Sequence, residues 1–217
     1  MVQINGIVNE YIHVEKPDQE AVPSRQFDIS KIDFDLLSRE FAHTRRKNLL
    51  LRDLDELVNQ QLAKMLVANP QRIDYYDRYQ EIIDAYNAEQ NRATIEKTFM
   101  DLMELASSLD TEQQRYVREG FSSDEELSVY DLLFSENLTK QEIETIKKVS
   151  VDLLTKIKQQ IAKLDHWTDK QETKAIVDNL IRNTLWQELP NSYDVSDIQT
   201  YQKKIYEYVY MRYPEVA

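Results

Sequence analysis

Three kinds of chemistry would leave a mark in this chain: phosphate binding by a glycine loop, metal-assisted hydrolysis, and attack by an activated nucleophile. The first needs clustered glycines whose backbone amides cradle phosphate, and the chain has two glycines, Gly6 and Gly120. Metal-dependent nucleases use an Asp followed by Glu or Gln, one spacer and Lys on adjacent strands, and Glu172-Thr173-Lys174 matches that tail. Its neighbours have a helical period opened at Thr168, so Glu172 and Lys174 point to different faces and share no metal. His13, His43 and His166 are far apart and lack the spacing of zinc or di-iron ligands. Serine, histidine and aspartate occur without a nucleophile elbow. We expect no catalytic, cofactor-binding or metal-ligating residue here.

Cysteine is absent, which excludes disulfides and thiolate metal sites and fits a cytoplasmic protein. No apolar run approaches the roughly 20 residues that span a bilayer, and the first residues lack the basic start and apolar core of a signal peptide. No membrane partner is expected. At 217 residues and 41% hydrophobic content, the chain is long enough to bury a core. Two Gly and five Pro leave few tight turns for hairpins, which favours helices. The formal charge of −12, from 27 basic and 39 acidic side chains, argues for a protein partner over a phosphate backbone. Local basic runs remain, Arg45, Arg46 and Lys47 and the series Lys147, Lys148, Lys156, Lys158 and Lys163. They are candidate nucleic-acid contacts, set against the plainer reading as solvated helix faces.

The elements that carry these residues read as an all-α bundle of about seven to nine amphipathic helices. Residues 1–28 stand apart: Val2, Ile4, Val8, Ile12 and Val14 alternate loosely, then Pro17 and Pro23 bracket an acidic stretch. They are expected to be an irregular or strand-like linker, or the remnant of a preceding domain. Residues 29–91 form a helical segment and 92–217 a C-terminal helical domain. Phe34, Leu37 and Phe41 start the helical period, and Leu51, Leu54, Val58, Leu62 and Met65 sustain it until Asn69-Pro70 ends it. Ile73, Tyr76, Tyr79, Ile83 and Tyr86 make the next stripe, then Ile95, Phe99, Leu102, Ala106 and Leu109. Whether these two are one helix or break at 87–91 is open. Asp110 is a candidate N-cap for a short helix closed by Gly120. Ser123 with Glu126, Thr139 with Glu142, Thr168 with Gln171 and Ser196 with Gln199 each have the spacing of a capping box. Ile143, Ile146, Leu153, Ile157, Ile161 and Leu164 line the longest amphipathic segment, and Pro214 ends the last helix.

That last helix is rich in tyrosine. Tyr201, Tyr208 and Val209 share a face with Ile198 and Ile205, leaving Tyr206, Tyr210 and Tyr213 on another. A helix that is aromatic on two faces is either central to the core or offers one face to a partner. Trp167 and Trp186 are expected to pack at helix ends.

Four segments follow one another: "TIEKTFMDLMELASSLDTEQQRYVREGF", "YDLLFSENLTKQEIETIKKVSVDLLTKIK", "WTDKQETKAIVDNLIRNTLWQELPNSY" and "KKIYEYVYMRYP". Upstream lie "IDFDLLSREFAHTRRKN" and "MLVANPQRIDYYDRYQEIIDAYN". In this order they resemble the C-terminal helical region of the motor (R) subunit of type I restriction endonucleases, from roughly Phe27 to the end. The resemblance implies a full-length subunit that is a site-specific endonuclease with ATP-dependent translocation, using ATP and Mg elsewhere in its chain. It implies that this region docks the motor onto the methyltransferase (M) and specificity (S) subunits, with DNA contacted through the whole complex. Tyr206, Tyr210 and Tyr213 are then the candidate partner contacts. Two alternatives are a DNA-contacting element beside the translocating duplex, through Arg45, Arg46, Lys47, Lys147, Lys148 and Lys156, and an internal brace on the motor lobes. The chain departs from the family pattern at Asn183, where an acidic residue is common, and at Tyr208, where a His usually precedes Val-Tyr.

Overall fold

A computed structural model of the protein describes residues 32–88 and 92–214, so the expected linker at 1–28 and His13 lie outside the described residues. Nine α-helices and no strand occur among the described residues, an all-α bundle. In order they are α1 (Phe34–His43), α2 (Lys47–Ala68), a 3-10 turn (Pro70–Arg72), α3 (Ile73–Ala88), α4 (Arg92–Gln113), α5 (Arg115–Arg118), α6 (Asp124–Leu133), α7 (Lys140–Ile161), α8 (Gln171–Glu188) and α9 (Val195–Arg212).

The apolar stripes bury as their period requires. Leu51, Leu54, Val58, Leu62 and Met65 of α2 meet Phe99, Leu102, Leu105, Ala106 and Leu109 of α4, and Phe41 of α1 stacks flat on Phe99 at 3.6 Å. The α3 stripe is centred on Tyr79 and Ile82, and Ile73 is exposed. This helix leans on one side of the group, so only a narrow strip of it is covered. Helices α3 and α4 pack on each other, and Arg78 reaches Glu104 at 2.8 Å, which settles them as two helices and not one. A second cluster joins Leu127 and Leu133 of α6, Ile146, Leu153, Ile157 and Ile161 of α7, Val177, Ile181 and Leu185 of α8, and Ile198, Ile205, Tyr208 and Val209 of α9. The division between the two clusters falls near Arg115. The boundary expected near residue 91 lies between α3 and α4, inside the first cluster.

Helix ends follow local chemistry, with four departures from expectation. At Thr139 the hydroxyl accepts from the Glu142 amide while the Glu142 carboxylate accepts from the Thr139 amide, a complete capping box. Ser123 caps α6, although Glu126 reaches the Ser122 amide instead of closing on Ser123. Asp110 is no N-cap, because α4 continues to Gln113 and the next turn starts after Gln114. Thr168 does not cap α8: its hydroxyl donates to the Pro214 carbonyl at 3.3 Å, and Lys170 stands at the helix start without a side-chain cap. Ser196 does not cap α9, since Asp194 and Asp197 form the capping box two residues earlier. Gly120 sits at φ +84, and the Phe121 amide donates back to the Tyr116 carbonyl at 2.8 Å, the wrap-around end of a helix that needs a left-handed residue.

A Cβ at Gly120 would meet nothing within 4 Å, so Gly120→Ala carries only the backbone strain and is expected to destabilise by about 1 kcal/mol. Ile157→Ala, which empties a fully buried site, is expected to cost about 3 kcal/mol. Urea unfolding of both variants checks the ranking.

Candidate functional site

The aromatic residues of α9 gather around one tryptophan. Trp167, in the turn between α7 and α8, is 1% exposed, and its indole N–H donates to the Tyr213 carbonyl at 2.6 Å. Tyr206 and Tyr210 stand edge-on to its ring at 6.2 and 5.7 Å and lie against each other. Tyr213 packs edge-on to Tyr208 at 6.5 Å. Burial, together with Tyr208 and Glu125, pushes its phenol far above the usual range. All three candidate tyrosines are half-buried against the core, and the Tyr213 hydroxyl is itself buried. The core expectation for this helix therefore holds in part of each ring. Trp186 does not pack as Trp167 does, being 50% exposed on α8.

The basic candidates are not gathered. Arg45 and Arg46 are exposed before α2, while Lys47 pairs with Glu96 at 2.6 Å and lies over the Phe41 ring. On α7, Lys147 donates to the Glu119 carboxylate and carbonyl, and Lys156 to Glu188 at 2.5 Å. Lys158 pairs with Glu125, and Lys148 and Lys163 are exposed. Nine positions separate Lys147 from Lys156, half a turn round the helix axis, so one faces α5 and the other α8. Glu172 and Lys174 lie in the first turn of α8, with Lys174 over the Tyr210 ring. His43 bonds the Arg39 carbonyl at 2.8 Å, and the exposed His166 stands beside Asp165.

A polar junction between the two clusters escaped the sequence reading. Arg72, 4% exposed, holds Asp124 with both terminal nitrogens at 2.9 and 2.6 Å, and its Nε donates to Glu112 at 3.0 Å. Arg115 pairs with Glu112 at 3.1 Å and with Asp131, which also accepts from the Asn69 amide at 2.6 Å. Ser128 donates to the Ala68 carbonyl. Burial alone would lower the Arg72 guanidinium, but Asp124 and Glu112 outweigh it and hold it charged. One sequence signal existed: Glu112 sits three positions after Leu109, where the apolar stripe of α4 would continue. An open cleft of about 540 Å³ borders the junction, walled by Met65, Ala68, Arg72, Asp110 and Val117.

Among the described residues, no three His, Cys, Asp or Glu side chains are placed to hold a metal ion, and no helix is long and apolar enough to cross a membrane. Bundle and surfaces together define an all-helical domain. A family model described as type I restriction enzyme HindI endonuclease subunit-like, C-terminal, matches residues 17–213, and the chain belongs to that family. The family read from the order of motifs is thereby borne out. No curated protein and no solved structure matches the chain.

Arg72→Ala strips the counter-charge from buried Glu112 and half-buried Asp124 and is expected to cost about 3–5 kcal/mol in urea unfolding. Lys148→Ala, on an exposed face, should stay within about 0.5 kcal/mol. Burial raises the Asp131 carboxyl above its ordinary 3.8, against the pull of Arg115 and Asn69. Between 3.8 and that raised value the folded chain binds more protons than the unfolded one, so this group's contribution to stability falls as pH rises through the window. Asp131→Asn should remove that slope from a series of unfolding curves across the acid range.

Proposed function

We propose that this bundle fastens the ATP-driven translocase and nuclease of a type I restriction enzyme to the methyltransferase and specificity subunits, and that it neither hydrolyses ATP nor cuts DNA itself. The observation that carries this reading is the aromatic edge of α9. The rings of Tyr206 and Tyr210 are fixed edge-on by Trp167 while staying partly exposed, and Trp167 holds the Tyr213 carbonyl at the end of the same helix. Rings already held in place lose little freedom on binding and supply contact area with a polar tip, which suits them to anchor a partner. Family membership supports a place within a restriction enzyme subunit. The acidic balance supports a protein partner, and so does the engagement of Lys47, Lys147, Lys156 and Lys158 with carboxylates inside the fold, which leaves less positive potential for duplex DNA.

The bundle should co-elute with the methyltransferase and specificity subunits on a sizing column at low and moderate salt. Tyr206→Ser with Tyr210→Ser, verified as folded by circular dichroism, is expected to weaken that association at least about tenfold. Absence of co-elution, with a DNA mobility shift that vanishes as salt rises, would instead make the basic runs the functional surface.

A further inference from the structure

The buried residues of this protein fall into two apolar clusters, one formed by α1–α4 and the other by α6–α9 with Phe121 and Trp167. At the heart of their meeting lie ions. Arg72, on the 3-10 turn of the first half, grips Asp124 in the opening turn of α6 with two nitrogens and Glu112 of α4 with the third. Arg115 of α5 pairs with Glu112 on one side and Asp131 of α6 on the other, and Asn69 donates to Asp131 from the first half. Two guanidiniums face three carboxylates, so the cluster carries one negative charge in excess even when complete.

We propose that this cluster is a latch. The two halves are separate folding units held in one relative orientation chiefly by these directional bonds, and breaking the bonds of Arg72 frees one half from the other without unfolding either. An apolar seam tolerates sliding, whereas a bidentate guanidinium-carboxylate pair specifies both distance and angle. Losing the pair also leaves carboxylates that prefer water, which favours opening over collapse of the joint. Opening it would let the aromatic edge of α9 turn relative to α1–α4. The inference does not depend on what that edge binds.

Both tryptophans, Trp167 and Trp186, lie in the second half, so tryptophan fluorescence follows that half alone, while far-ultraviolet circular dichroism follows every helix. In urea, the whole 217-residue chain should give superimposable curves by the two probes. In Arg72→Met the curves should separate, with a dichroism step that fluorescence does not see. Asp131→Asn, which keeps the shape of the side chain and removes its charge, should separate them by a smaller interval and decides the matter if Arg72→Met does not fold. Superimposed curves in the folded variants would overturn the latch, and so would curves already separate in the parent chain.

Discussion

The guanidinium of Arg72 is the point on which the rest of this structure turns. Each apolar cluster explains its own helices: α2 and α4 close on each other, and α7 is enclosed by α6, α8 and α9. Neither cluster says how the halves should be set together. That instruction comes from Arg72 reaching Asp124 and Glu112, with Arg115, Asp131 and Asn69 completing the set. Buried ion pairs are costly to desolvate and add little net stability over a well-packed apolar joint. Their contribution here is geometric, because six groups from several elements must be satisfied together in one arrangement.

Much of the fold was legible because burial by helical period is a local property. Val58, Leu62, Phe99, Leu102, Ile146, Leu153, Ile157, Ile198 and Ile205 are all buried where their stripes placed them. Gly120 was legible because a left-handed position after a helix has few occupants. Caps were legible only where one hydroxyl or carboxylate had no rival. At the start of α9 two overlapping patterns competed, and Asp194 with Asp197 prevailed over Ser196 with Gln199. The Thr168 hydroxyl was drawn to the Pro214 carbonyl, far off in sequence. The Arg72 set was illegible for the same reason on a larger scale, since Arg72 and Asn69 reach partners dozens of residues away and each member alone looks like a surface charge.

The candidate surfaces show the same limit. Periodicity put Tyr206, Tyr210 and Tyr213 away from the core face of α9, yet the Tyr213 ring turns back onto buried Tyr208 with its hydroxyl enclosed. Only the position of Trp167, brought back from the α7–α8 turn, shows that their inner edges are packed. The lysines of α7 read as a basic run in sequence, yet the helix spreads them around its axis and the neighbouring helices supply Glu119, Glu125 and Glu188 to meet them. Several of the lysines that read as a basic surface are thus engaged with carboxylates of the same fold.

Hydrogen exchange on the full-length subunit, with and without the methyltransferase and specificity subunits, tests the central claim most directly. The docking account predicts slowed exchange on assembly along α9 and the turn around Trp167, with amides near Arg72 unchanged. Unaltered exchange along α9 in the assembled enzyme would contradict it.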